Sequence, residues 1–318
     1  MSDLPRTSPE LKRETLENEQ LFISLIPELG AKINVIKRKK KDFNILLEPP
    51  DFPYRSANFG DSFEKFDTSG FDECFPTVSE CQSPDDQSLT YPDHGDLWSL
   101  PAKISKSENS LVAEIKGKSF DYLFSKKLSL FKSTLRIDYE VVSNSKNQFQ
   151  VAWSSHPLLK ASEGSEIFFP PEVKSLFLNW SALNRLGNFG EEISWPSHER
   201  QKLSEIGKKS CGFAEKFFAG PLKFGWSAFY NKEADEHVVF RFPPKEVPYV
   251  GLWVCQGGWP LSRASKHFTV AVEPCSGMPD SLLEASKRNS ASTIRPGRKL
   301  NWWLELSLGS GIPEFCEK

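Results

Sequence analysis

The chain has 318 residues and a net charge of −2, with 38% hydrophobic and 26% charged residues. That balance gives no global attraction to nucleic acid or acidic membranes, and no stretch approaches the ~18 apolar residues of a membrane-spanning helix. The aromatic load of 25 Phe, 9 Trp and 6 Tyr suits strands, which favour aromatic and β-branched side chains, and equally a ligand that stacks.

Residues 1–20 read as a polar leader with no apolar export core and a short helix over residues 9–16, so a cytoplasmic protein is expected. Cys74, Cys81, Cys211, Cys255, Cys275 and Cys316 form no Cys-x-x-Cys pair and read as free thiols, mostly buried. Residues 21–26 and 32–37 read as an opening hairpin joined through Pro27-Glu28-Leu29-Gly30. The run of cations over residues 37–41 reads as its solvated tip. Residues 49–92 are rich in Pro, Gly, Asp, Ser and Phe without clear periodicity, and a loop of that length is usually functional.

Beyond it strand follows strand. Period-two alternation places Leu111, Ala113 and Ile115 on one face, Leu135, Ile137, Tyr139 and Val141 on another, and Leu300, Trp302, Leu304, Leu306 and Leu308 on a third. Further strands are expected over residues 122–131, 149–155, 222–230, 236–242, 249–255 and 267–273, and one helix over residues 279–287. The chain is therefore expected to be mostly β, a single large antiparallel β-sandwich over residues 21–318.

The densest chemistry lies in Tyr91-Pro92-Asp93-His94-Gly95-Asp96-Leu97-Trp98. Pro92 stiffens this loop, Gly95 lets a ligand approach the main chain, and His94 offers an imidazole tunable near neutral pH. Two strands share a second design. Thr269, Ala271 and Glu273 alternate with Phe268, Val270 and Val272 before Pro274. Likewise Gln150, Ala152, Ser154 and His156 alternate with Phe149, Val151 and Trp153 before Pro157. Each run is expected to stop at its proline, delivering a carboxylate and an imidazole at strand ends beyond a row of small side chains. The stretch Gly251-Leu252-Trp253-Val254-Cys255-Gln256-Gly257-Gly258-Trp259-Pro260 could stack a sugar ring on Trp253 while the Gln256 amide binds hydroxyls. No His-x-His or His-Glu-x-x-His spacing points to a metal.

The order Pro92-Asp93-His94-Gly95, His156, Leu252-Trp253, Gly257-Gly258-Trp259 and Val272-Glu273-Pro274 resembles the aldose 1-epimerases, the galactose mutarotase-like proteins. Pro27-Glu28-Leu29-Gly30-Ala31-Lys32-Ile33 also resembles how those proteins begin, so the likeness runs roughly from Leu21 to Leu308. The resemblance implies a β-supersandwich that interconverts sugar anomers without a cofactor. Glu273 would take the anomeric proton, His156 would protonate the ring oxygen, entering the cycle charged, and His94 would hold the substrate. Asp93, Trp98, Trp253 and Gln256 are candidate sugar contacts. Phe71-Asp72-Glu73-Cys74-Phe75-Pro76 resembles a loop of a less characterised branch, adding Asp72, Glu73 and Arg55, the last a candidate for a sugar phosphate. Two departures stand out. His156 is followed by Pro157-Leu158-Leu159 where galactose mutarotases carry a Tyr-Phe-Asn-like segment, and no residue matches the family's sugar-binding aspartate. The expected partner is a small sugar, with the chain a monomer or homodimer. A non-catalytic carbohydrate-binding protein, or a glycoside hydrolase or lyase using Asp93, Asp96 and Glu273, remain alternatives.

Overall fold

The computed structural model describes residues 11–316. Its strands build two large antiparallel sheets. The first has ten strands in the spatial order Glu14–Glu17, Leu21–Ile26, Lys32–Arg38, Phe71–Cys74, Ser154–Lys160, Phe268–Cys275, Tyr249–Gln256, Phe213–Ala219, Ser175–Ser181 and Glu192–Ser194. The second has eight, in the order Glu166–Phe168, Trp226–Asn231, Glu236–Arg241, Lys299–Ser310, Thr134–Ser143, Tyr122–Phe131, Ser110–Lys116 and Lys103–Lys106. The expected β-sandwich is thus the fold. Among the described residues no helix is long and apolar enough to cross a membrane.

Alternation explains how the sheets pack. In the eight-stranded sheet Leu135, Ile137, Tyr139 and Val141 are buried, and so are their cross-strand partners Leu306, Leu304, Trp302 and Leu128. From the ten-stranded sheet Phe71, Leu159, Val270, Val272, Leu252 and Phe217 join the same apolar cluster. Each buried aliphatic or aromatic side chain of this kind contributes about 1.5–3 kcal/mol, so these faces dominate the stability of the fold. The central strands of the ten-stranded sheet are buried on both sides, because their other face is covered by loops. That second face holds the candidate site.

Several local expectations are corrected. Glu14–Glu17 is an edge strand paired with Leu21–Ile26, so the helix expected over residues 9–16 is absent from residues 11–16; Pro9 and Glu10 lie outside the described residues. The expected single strand over residues 149–155 is two, Phe149–Val151 and Ser154–Lys160. The loop-like stretch from residue 49 supplies a central strand, Phe71–Cys74, too short for its alternation to register. Strands with no counterpart in the sequence reading include Ser175–Ser181 and Phe213–Ala219, which flank the site, and the short edge strands Lys103–Lys106, Glu166–Phe168 and Glu192–Ser194. The helix is shorter than expected, Leu282–Lys287, capped where the Ser281 hydroxyl accepts from the Glu284 N–H. Cys74, Cys255 and Cys275 are buried, Cys81 and Cys316 half-buried and Cys211 exposed, all as free thiols.

Neither Pro157 nor Pro274 ends its strand. The ladder between Ser154–Lys160 and Phe268–Cys275 pairs Ser154 with Cys275 and then Leu158 with Ala271, leaving the residues between unpaired in that ladder. Both prolines lie in this gap, where a missing N–H forfeits no bond between the two strands. The same register sets His156 beside Glu273 in mid-sheet, rather than at two strand ends.

Candidate active site

A cavity of about 410 Å³ opens over the second face of the ten-stranded sheet, lined among others by His94, His156, Lys216, Trp253, Glu273 and Asp280. Its floor is two rows of cross-strand neighbours. In one, Glu273 stands beside His156 and pairs with Gly251. In the other, Leu158 pairs with Ala271, Ala271 with Trp253, Trp253 with Lys216, and Lys216 with Trp180.

Glu273 is fully buried, and its Oε1 lies 4.0 Å from His156 Nε2. Among the described residues no group donates a hydrogen bond to Oε1. Its other oxygen, Oε2, receives the Lys216 ammonium in a short ion pair and lies 3.5 Å from the Ser154 hydroxyl. Lys216 also lies 3.5 Å from Asp280 Oδ1, while Asp280 Oδ2 accepts from the Asn179 amide at 2.8 Å. Room for this pair comes from Gly251: a Cβ there would stand 3.1 Å from Glu273 Oε2 and 3.2 Å from Lys216 Nζ.

The charges follow from burial. Desolvation alone would lower the Lys216 pKa, but the adjacent Asp280 and Glu273 carboxylates outweigh it and hold the lysine above its usual range as an ammonium. Burial raises the Glu273 carboxyl, and Lys216 only partly offsets this. Burial also pushes His156 well below the ordinary imidazole value, reinforced by His94, Lys216 and Lys32 around it. At neutral pH His156 is therefore a neutral imidazole, against the expectation that it rests charged.

His94 comes from the loop read in the sequence. It sits at a left-handed φ of 60°, followed by Gly95 at 70°. Its N–H donates to the Val78 carbonyl at 2.6 Å, and the Asp96 N–H donates to the Phe75 carbonyl at 2.7 Å. Asp93 Oδ1 accepts from His94 Nδ1 at 2.8 Å while Oδ2 accepts from the Phe63 N–H at 2.9 Å. A carboxylate can only accept here, which fixes the Nδ1–H tautomer and leaves Nε2 for a ligand. Burial would raise the Asp93 carboxyl, but the charge and hydrogen bond of His94 hold it below the usual range. Phe63 stacks on the His94 ring at 4.0 Å and presents its edge to His156, whose ring is 5.1 Å from that of His94.

Gly95 tolerates no side chain, since a Cβ would lie 2.3 Å from the Phe75 carbonyl oxygen. Gly95→Ala is therefore expected to destabilise the fold by roughly 2–3 kcal/mol through overlap and backbone strain, read as a lower urea midpoint. A midpoint within error of the parent would show that the loop yields.

By sequence, neither a family model nor a curated protein matches the chain. By structure, a galactose mutarotase-like protein from Lactobacillus casei ATCC 334 superposes with a TM-score of 0.68 at 15% identity, over 94% of this chain and 100% of that one. A galactose mutarotase related enzyme from Lactobacillus acidophilus gives 0.67 at 14% identity, over 95% and 99%. The Slr1438 protein from Synechocystis sp. PCC 6803 gives 0.68 at 14% identity, over 98% and 100%. The chain has the galactose mutarotase-like fold.

Within the galactose mutarotase-like fold, Glu273, His156, His94, Asp93 and Trp253 all line the cavity. Five other candidate contacts do not. Adjacent strand residues face opposite sides, so Asp72 and Glu73 could never share one cavity. Glu73 points between the sheets, where it accepts from Trp153 Nε1 at 2.8 Å, Tyr139 OH at 3.0 Å and Lys126 at 3.2 Å. Asp72 lies beneath the lining, 3.0 Å from the buried Lys32 ammonium, and burial raises its carboxyl to about 6. Arg55 is exposed, donates to the Lys65 carbonyl at 2.7 Å and covers the Phe66 ring. Trp98 backs the His94 loop, its indole N–H donating to the Asp93 carbonyl at 2.9 Å and its ring packing on Phe63. Gln256 is buried and accepts from the Gly207 N–H at 2.6 Å.

Lys216, Asp280, Asn179, Trp180 and Phe63 line the cavity without having been singled out in the sequence. Lys216 carried one signal, a cation inside the apolar run Phe213-Ala214-Glu215-Lys216-Phe217-Phe218-Ala219. Asp280 precedes the helix cap Ser281 and reads there as ordinary helix-start chemistry.

Proposed function

We propose that the chain is a cofactor-independent aldose 1-epimerase acting on a reducing sugar. The observation that carries the reading is the buried pair of Glu273 Oε1 and His156 Nε2, 4.0 Å apart on the cavity floor, with no donor to Oε1 among the described residues. The two oxygens attached to one anomeric carbon can bridge such a pair at hydrogen-bond distance, about 2.6–3.2 Å from each group. Glu273 removes the proton of the anomeric hydroxyl while the histidine delivers one to the ring oxygen. The C–O ring bond breaks as the carbonyl forms, rotation exposes its other face, and the same pair reversed recloses the ring. His94 Nε2 binds the substrate from the loop side. Among the hydrolase candidates, Asp96 is unavailable: its carboxylate accepts from the Lys118 and Ser119 N–H groups at 2.8 Å each and from Tyr122 OH at 3.0 Å.

This reading makes a pH prediction. The productive state needs Glu273 ionised and His156 protonated. The imidazolium is lost as pH rises through the depressed His156 pKa, and the carboxylate is lost as pH falls through the raised Glu273 pKa. Catalysed kcat/KM is therefore expected to peak on the acid side of pH 6.5, the ordinary histidine value, and to fall through neutrality. His156→Asn removes the alkaline limb and lowers kcat by roughly 10²–10⁴-fold. Polarimetry on freshly dissolved single anomers, corrected for spontaneous mutarotation, checks both. An alkaline limb that persists in His156→Asn would move the acid role to His94.

A further inference from the structure

The cavity floor continues well past the catalytic pair. From His156 it crosses the strands of Glu273, Gly251 and Lys216 to reach Trp180 on Ser175–Ser181, four inter-strand steps of ~4.8 Å or about 19 Å. Trp180 at the far end of the floor and Trp253, two strands nearer, hold their rings 5.7 Å apart and inclined by only 30°, and both are half-buried and open to the cavity. Neither contacts the Glu273–His156 pair in any interaction described above. Half-buried indoles held nearly parallel at a cavity wall offer flat apolar faces of the kind that sugar C–H faces pack against. Beside them lie Asn179 and Asp280, whose buried Oδ1 has the Lys216 ammonium at 3.5 Å and, among the described residues, no hydrogen bond. Together these give an aromatic platform with polar groups at its edge.

Charge narrows the occupant. Among the described lining residues the carboxylates are Glu64, Asp93, Glu273 and Asp280, and the only Lys or Arg is Lys216, already held by Glu273. A phosphoryl dianion would meet an excess of negative groups there. An uncharged ring would not.

We propose that Trp180 and Trp253 form a second sugar subsite, and that the preferred substrate is a neutral reducing disaccharide whose reducing ring occupies the Glu273–His156 pair. The inference rests on the epimerase reading for the placement of the reducing ring. The linkage chemistry is consistent: position 4 of a pyranose lies across the ring from the anomeric carbon, so a 1,4-linked second ring extends away from the catalytic pair, leaving the tryptophan end of the floor within its reach.

The test compares cellobiose, maltose, glucose and glucose 6-phosphate by anomer-exchange NMR. A 1,4-linked disaccharide is expected to show a kcat/KM about tenfold above that of glucose, with glucose 6-phosphate below both. Trp180→Ala should lose about tenfold more kcat/KM for the disaccharide than for glucose, and Trp180→Phe, which keeps a ring, should recover most of it. Equal losses on both sugars, or a disaccharide handled no better than glucose, would overturn the subsite. If no sugar is anomerised faster than in buffer, the epimerase reading falls instead. Calorimetric binding of cellobiose against glucose, with and without Trp180→Ala, then still decides the subsite: an unchanged preference in the variant would refute it.

Discussion

Glu273→Gln is expected to lower the kcat of mutarotation by about 10²–10⁴-fold while KM stays close to that of the parent. The amide keeps the shape of the carboxylate and can still accept a hydrogen bond from Lys216, but it cannot take the anomeric proton. Substrate contacts through His94 and the cavity wall survive, so binding measured by calorimetry should persist. Lys216 keeps Asp280 as a counter-ion at 3.5 Å, which limits the cost to the fold. Near-parental turnover in this variant would remove Glu273 from the role of base, and full loss of sugar binding would make it a binding residue. A carbohydrate-binding protein without chemistry would show no catalysed exchange in the parent either.

The second large effect concerns Lys216. Lys216→Met leaves the Glu273 carboxylate buried without its cation, a change that costs about 3–5 kcal/mol if the charge is retained. The group instead takes up a proton. Burial already raises the Glu273 pKa, and losing the ion pair raises it further, so the acid limb of kcat/KM moves to higher pH. The base is then protonated over a wider span of pH. Losing Lys216 also relieves part of the depression of His156, but burial, the largest cause, remains together with His94 and Lys32, so the imidazolium is still lost below the ordinary histidine range. The directly paired carboxylate shifts more than the imidazole, so the span of pH in which both groups are in their working states narrows and activity falls by about 10²-fold. A purely structural lysine would lower the whole profile without moving its acid limb, so the position of that limb is the measurement that decides.

How much of this was legible in the sequence depends on where each residue draws its meaning. Glu273 and His156 were found because each closes a row of small residues in an alternating strand, and alternation is a local property. The stiff loop was read for the same reason, since Pro92 and Gly95 constrain their own backbone wherever they occur. Its anchor was not read, because Asp96 reaches donors on Lys118 and Ser119 more than twenty positions away. Asp72 and Glu73 were both offered as sugar contacts from a motif. The pleat allows only one of them on the cavity's side, and the depth of the sheet removes that one as well, placing it against Lys32.

The mostly β architecture, the inward faces of the long strands and the identity of the carboxylate and imidazole on the cavity floor are all readable from the order of residues. Each of these is written in a period of two or in the fixed conformation of a proline or glycine. That the two strands are neighbours, with a gap in their ladder at Pro157 and Pro274, emerges only on folding. Folding alone brought Lys216 against Glu273 from fifty-seven residues away. It also set the charge states, giving an ionised lysine and a neutral histidine within one cavity. Register and burial are properties of pairs of segments. A lysine inside an apolar strand declares that it needs a partner, but which carboxylate it meets, and what that does to the pKa of both, is settled only when the strands lie side by side.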